Sequence, residues 1–178
     1  MRKSTRITQA YARSRLDYDP GSGLLRWRPL ERGDIRDASW NSRYAGKVAG
    51  TINAHGYVVL TIEKRTKVLA HRLIWLYVKG VWPKRFIDHR NTIKHDNCWK
   101  NLREATVAQN GWNCSRNSRN TSGVRGVSWD KSKRLWMAHI MVRRHVKPLG
   151  KFQSKSAAVA ARRAAVRKYH GEFAPSLT

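Results

Sequence analysis

A chain of 178 residues with 37 Lys and Arg against 11 Asp and Glu carries a formal charge of +26, a self-repulsion that makes sense chiefly when a polyanion is the partner. Apolar residues make up 40% of it, which excludes a disordered basic tail and leaves room for one or two small folded domains. No apolar run approaches the roughly 18 residues of a spanning helix, and Met1-Arg2-Lys3 leads into polar residues, so a membrane span and an apolar signal core are not predicted.

Residues 1–17 read as a basic extension without apolar period. Asp19-Pro20-Gly21-Ser22-Gly23 has the composition of a turn, and a short strand over Leu24–Arg28 follows it. Val48–Ile52 is a second strand candidate. Asn53-Ala54-His55-Gly56 is a turn, and Tyr57–Ile62 is a strand rich in β-branched residues. Lys64-Arg65-Thr66 turns the chain into Lys67–Ala70. From His71 to Lys79 the spacing of Leu73, Leu76 and Tyr77 predicts a helix, which Gly80 stops. Phe86–Asp88 and Asn101–Ala105 are short strands on either side of a polar loop, and Val107–Asn113 is helical.

Ser115 to Gly123 is polar and lacks any apolar period, which reads as a linker over 115–121. Past it, 15 Lys and Arg of residues 115–178 face only 2 acids, about twice the charge density of the first part. Three strand candidates, Val124–Trp129, Leu135–Val142 and Val146–Phe152, are separated by short basic loops that suit antiparallel hairpins. An alanine-rich helix then runs from about Ser156, taken as N-cap, to His170, with Gly171 as its stop. Arg162, Arg163, Arg167 and Lys168 are expected on its solvated face. Trp129 and Trp136 suit a core as well as base stacking.

The chemistry concentrates around Asp88-His89. Asn101 follows the histidine by 12 residues and Asn110 by 21. A hard cation needs oxygen ligands from carboxylate or amide groups, and a neutral imidazole beside it can take a proton from water near neutral pH. The same triplets also occur as ordinary turn chemistry. Among the other polar residues, His71 suits structure better than catalysis and His95 lies in the loop where it could meet phosphate or metal. His55 reads as a turn residue, and Asn91 and Asn113 read as solvent-facing groups.

In this order, Ala70-His71-Arg72-Leu73, Ile87-Asp88-His89, Asp96-Asn97, Asn101-Leu102-Arg103 and Asn110, together with the Asp19–Trp27 start, resemble the HNH endonuclease family, in its phage free-standing and homing-type branch. The resemblance covers about residues 18–113 and implies a ββα-metal module. It implies His89 as general base, Asp88 and Asn110 as ligands of one divalent ion (Mg²⁺ or Mn²⁺), and Asn101 as the group that spans the loop and orients His89. Products with 5′-phosphate and 3′-hydroxyl ends are implied as well. Arg90 and Arg103 beside the site are DNA-contact candidates. Some family members are braced by zinc, but Cys98 and Cys114 form no Cys-x-x-Cys, so no structural zinc is expected. Packing through Trp75, Trp82, Trp99 and Trp112 takes its place, and a reducing, cytoplasmic setting follows from the low cysteine count.

Three strands, one alanine-rich helix and the Gly123-Val124-Arg125-Gly126-Val127 start resemble the Apetala-2 (ethylene-response-factor) DNA-binding domain over about residues 122–175. That resemblance implies DNA contacts by Arg125, with Arg134, Arg143, Arg144 and Lys151 as neighbouring candidates. Ser128, Val146 and Pro148 stand where that family has arginine or tryptophan, so phosphate contacts are expected to outweigh base reading.

The expectation is therefore an α+β chain: residues 1–17 as extension, an HNH nuclease domain over 18–114, a linker over 115–121, and over 122–178 a three-stranded antiparallel sheet packed on one helix. Its partner is double-stranded DNA and not a membrane. Cutting of both strands by one active site needs a dimer or two visits. A DNA-binding regulator with an inactive nuclease module, and a basic RNA-binding accessory protein, are the alternatives.

Overall fold

The computed structural model describes residues 7–31, 35–62, 66–113, 120–142 and 145–173. The turn expected at Lys64-Arg65, most of the linker expected over 115–121, and Cys114, Arg143 and Arg144 lie outside them. The chain divides into two compact units, Met1–Glu104 and Ala105–Thr178, and each is a mixture of short helices and small antiparallel sheets.

The first unit begins with a helix, α1 (Gln9–Arg15), whose N-cap Thr8 accepts a hydrogen bond from the Tyr11 amide. No helix is predicted in this stretch, because seven residues are too few to show a period. Tertiary contacts hold it instead: Gln9 and Arg13 donate to the carbonyl of Tyr77, and Ala12 is fully buried. Strand β1 (Leu16–Tyr18) pairs antiparallel with β2 (Leu25–Trp27). Helix α2 (Ile35–Tyr44) buries no residue, and its lack of a core face explains why the sequence does not announce it.

Strands β3 (Thr51–Ile52), β4 (Val58–Ile62) and β5 (Thr66–Leu69) form an antiparallel sheet with β4 at its centre. Helix α3 (Ala70–Lys79) follows directly and buries Ala70, His71, Leu73, Ile74 and Leu76. Gly80 ends it in the left-handed region at φ 78°, a conformation that costs glycine nothing. Strands β6 (Phe86–His89) and β7 (Leu102–Ala105) pair across a loop that closes in a single 3₁₀ turn, Trp99–Asn101. Leu16, Leu25, Leu60, Leu73, Ile74, Ile87 and Leu102 meet in one core, each burial being worth about 1.5–3 kcal/mol. Trp75, Trp82 and Trp99 pack around it, with the Trp75 and Trp99 rings 5.4 Å apart.

In the second unit, α4 (Val107–Trp112) opens with a capping box between Thr106 and Gln109. Strands β8 (Val127–Asp130), β9 (Leu135–Val142) and β10 (His145–Phe152) form an antiparallel sheet with β9 in the middle. Helix α5 (Lys155–His170) covers one face, and its alanines meet Val127, Ala138 and Ile140. Two expectations change here. The N-cap is Ser154, whose side chain accepts from the Ala157 amide, and not Ser156. Arg162 is not on the solvated face but only 7% exposed. Trp112, expected to brace the nuclease module, stacks on His170 with ring centroids 4.5 Å apart. Among the described residues no helix is long and apolar enough to cross a membrane.

Candidate active site

Strand β6 carries Asp88 and His89 into the interior, where they are 5% and 4% exposed. A buried carboxylate needs a partner, and it has one from the neighbouring strand. Arg103, itself 6% exposed, brings Nε to 2.9 Å and Nη2 to 2.8 Å of Asp88 Oδ2. Arg103 was a DNA-contact candidate by charge; the structure turns its charge inward instead.

His89 Nε2 lies 3.2 Å from Asn97 Oδ1. The orientation of that amide follows from its other end, since Asn97 Nδ2 donates to the His95 carbonyl at 3.3 Å. With oxygen facing the ring, Nε2 must carry the hydrogen and Nδ1 the lone pair. Burial lowers the His89 pKa below its ordinary value, and the Asn97 hydrogen bond and the charge of Asp88 oppose it in part.

The loop from residue 90 to 101 is tied by side-chain amides. Asn101 Oδ1 accepts from the Asn91 backbone amide at 3.0 Å, and its Nδ2 donates to the Asp96 carbonyl at 2.6 Å. Asn91 Nδ2 donates to Asp96 Oδ2 at 2.6 Å. A carboxamide suits this place because it donates and accepts without adding charge.

A second layer comes from the turn between β1 and β2. Tyr18 donates to the carbonyl of Asn97 at 2.8 Å, and the Trp99 amide donates to the Pro20 carbonyl at 3.0 Å. The Cys98 thiol donates to Gly21 O at 2.8 Å. Burial, with the nearby Cys98, Asp19 and Asp96, raises the Tyr18 pKa, so it stays a donor. Gly23 sits at φ +75°, and a Cβ there would run into the backbone of Asn97 and Cys98. The turn is visible in the sequence, whereas its grip on residues 97–99 is not.

On the other side of His89 stand two rings. His71, 5% exposed, meets His89 edge-on with centroids 5.1 Å apart, and Tyr57 lies 5.3 Å from His71. Burial, then the charges of His89 and Arg72, push the His71 pKa down to about 3. It is a neutral wall, not a proton carrier. His55 and His95 are both exposed. His55 contributes a carbonyl to Lys94 Nζ at 3.0 Å.

The remaining candidates fall as follows. Arg90 is exposed, and its amide donates to the Asn101 carbonyl at 2.9 Å. Asn91 is half-buried. Asn110 lies on α4 in the second unit, and Asn113 behind it is buried. Arg125 is exposed, although its Nη1 donates to the Gly111 and Trp112 carbonyls at 3.1 Å. Arg134 is exposed in the β8–β9 turn. Lys151 is exposed opposite Met137, and the ammonium of Lys133 lowers its pKa. Trp129 is 43% exposed and Trp136 half-buried beside it.

Among the described residues no group of three or more His, Cys, Asp or Glu is placed to hold a metal. A site of one carboxylate and one carboxamide would not form such a group. Carboxylate and carboxamide oxygens are hard donors, the chemistry that a hard divalent cation takes.

Residues 68–112 match the model of the family described as HNH endonuclease. The chain is also 36% identical over 67 residues to Protein 3.8 of Escherichia phage T7, a match covering 37% of this chain and 55% of that relative. No solved structure matches. The matched family stretch contains Asp88, His89, Asn97, Asn101, Arg103 and Asn110.

Proposed function

We propose that this protein is a metal-dependent HNH DNA endonuclease, positioned on its substrate by the sheet of its second unit. The observation that carries the reading is the buried Asp88-His89 pair, each member fixed by its own partner, inside a stretch that matches a nuclease family.

His89 is the general base: with its hydrogen on Nε2 toward Asn97, Nδ1 is the nitrogen that would take the proton of the attacking water. A pKa below the ordinary imidazole value keeps that base unprotonated at cellular pH. Asn101 holds the loop around it, and Arg103 orients Asp88. Asp88 and Asn110 are the residues that would hold one divalent ion, Mg²⁺ or Mn²⁺, which when bound neutralises charge on the phosphate and the leaving 3′-oxygen. The net charge of +26 supports a nucleic-acid substrate. In the second unit an antiparallel sheet backed by one helix supports an Apetala-2-like binding role, with Arg125 ahead of β8, Arg134 in the β8–β9 turn and Lys151 on β10 all exposed. Tethering such a unit to a weakly binding nuclease raises the local substrate concentration.

Incubation of the protein with supercoiled plasmid and Mg²⁺, Mn²⁺ or EDTA tests this. Nicked or linear DNA with 5′-phosphate ends is expected only with metal. His89→Ala should abolish cleavage and leave DNA affinity nearly unchanged. Binding without any metal-dependent cutting would mark a regulator instead, and preference for structured RNA would mark an RNA-binding protein.

A further inference from the structure

The second unit contains a cavity of about 790 Å³ with Arg162, His170, His139, Arg125 and Trp112 in its wall and, among the described residues, no acidic side chain in its lining. Arg162 is an unusual component of such a wall. It is 7% exposed, its Nε donates to the Arg125 carbonyl at 3.0 Å, and its buried Nη1 has no hydrogen-bond partner among the described residues. A guanidinium held out of water with an unmade N–H bond is costly unless something supplies the acceptor. His170 repeats the pattern. It is 5% exposed, Nε2 faces the Met141 carbonyl at 3.1 Å, and its buried Nδ1 also lacks a partner among the described residues.

We propose that this cavity is a binding site for a phosphate group, held by the Arg162 guanidinium and by His170 Nδ1. Guanidinium matches the geometry of phosphate oxygens, and two cationic side chains without a carboxylate favour an anion over a neutral ligand. Nε2 must donate to the Met141 carbonyl, so Nδ1 becomes a second donor only when the ring is protonated. The charged groups facing it are Arg162 on its own helix and Arg125 ahead of β8, and both hold its pKa down together with burial. From β9 it meets a carbonyl and from α4 the Trp112 ring. A phosphate reverses that balance, so binding is accompanied by protonation of His170. The volume admits a phosphate together with the sugar that carries it. The ligand is either free phosphate or a phosphate of a nucleic-acid strand. The inference does not depend on cleavage.

The test uses the full chain in EDTA. Inorganic phosphate, a short single-stranded oligonucleotide with a 5′-phosphate and the same oligonucleotide without it are titrated by calorimetry, while the His170 ring is followed by NMR. Arg162→Gln should weaken phosphate binding at least about tenfold. Arg163→Gln, which removes the same charge from an exposed neighbour, should leave it within about twofold. The His170 pKa should rise when phosphate is added. An Arg162-dependent advantage of the phosphorylated strand assigns the ligand to a strand end, equal Arg162-dependent binding of both strands to an internal phosphodiester, and binding of inorganic phosphate alone to the free ion. Equal losses in the two arginine variants, or a His170 resonance unmoved by every ligand in the wild type, would overturn the proposal. The second readout decides even if Arg162→Gln does not fold.

Discussion

Asn97 shows how much a single amide can decide. It carries no charge and touches no expected ligand, yet its oxygen sets the tautomer of His89. Replacing it by leucine removes the acceptor and the bond that raises the His89 pKa. Asn97→Leu should cut turnover by about tenfold or more and move the acid limb of the pH–rate profile lower. Asn97→Asp places a negative charge on Nε2 and should move that limb to higher pH. Identical profiles in both variants would show that Asn97 does not act through the imidazole. His71 tells on stability rather than rate. Its folded pKa of about 3 lies below the unfolded value near 6.5, so between these limits the unfolded chain binds the extra proton. The stability is present in full above pH 6.5 and is lost as pH falls toward 3, at up to about 1.4 kcal/mol per pH unit. His71→Phe should flatten the pH dependence of urea unfolding between pH 4.5 and 7; an unchanged slope would contradict a buried neutral His71.

At the scale of elements, the β1–β2 turn behaves as a clamp on the loop that carries Asn97. Four of its features converge there: the Tyr18 hydroxyl, the Pro20 and Gly21 carbonyls, and the absence of a side chain at Gly23. Cys98, a residue without evident purpose in the sequence, is the thiol donor of this contact. Gly23→Ala meets both a left-handed backbone and a backbone collision. It should destabilise the first unit by about 1–3 kcal/mol and lower turnover per folded molecule, measured by thermal unfolding beside a cleavage assay. Lost stability with undiminished turnover would separate the clamp from His89. The elements themselves were unevenly legible. Helix α3 and strands β4 and β9 declare themselves through strong apolar periods. Helices α1 and α2 do not, because one is held by hydrogen bonds to Tyr77 and the other buries nothing.

For the whole molecule, charge dominates. A chain with +26 concentrated in 178 residues should release several counterions on binding nucleic acid, so log affinity should fall with log salt at a slope of several. Fluorescence anisotropy with duplex DNA between low and physiological salt measures it, and a flat response would remove the electrostatic basis of substrate capture. The density of charge also explains why the buried cations matter: Arg103 and Arg162 are withdrawn from the surface and given other partners.

Sequence alone determined what is local. Spacing and resemblance to a family singled out Asp88, His89, Asn101 and Asn110 as candidates, and composition called for a polyanionic partner. Tertiary structure decided what each polar group faces. It turned Arg103 onto Asp88, aimed the Asn97 oxygen at His89 and buried Arg162 on a helix whose arginines read alike in sequence. The reason is that period and propensity act over a few neighbouring residues, whereas the partner of a buried charge arrives from a distant strand or turn, and desolvation then leaves it no alternative.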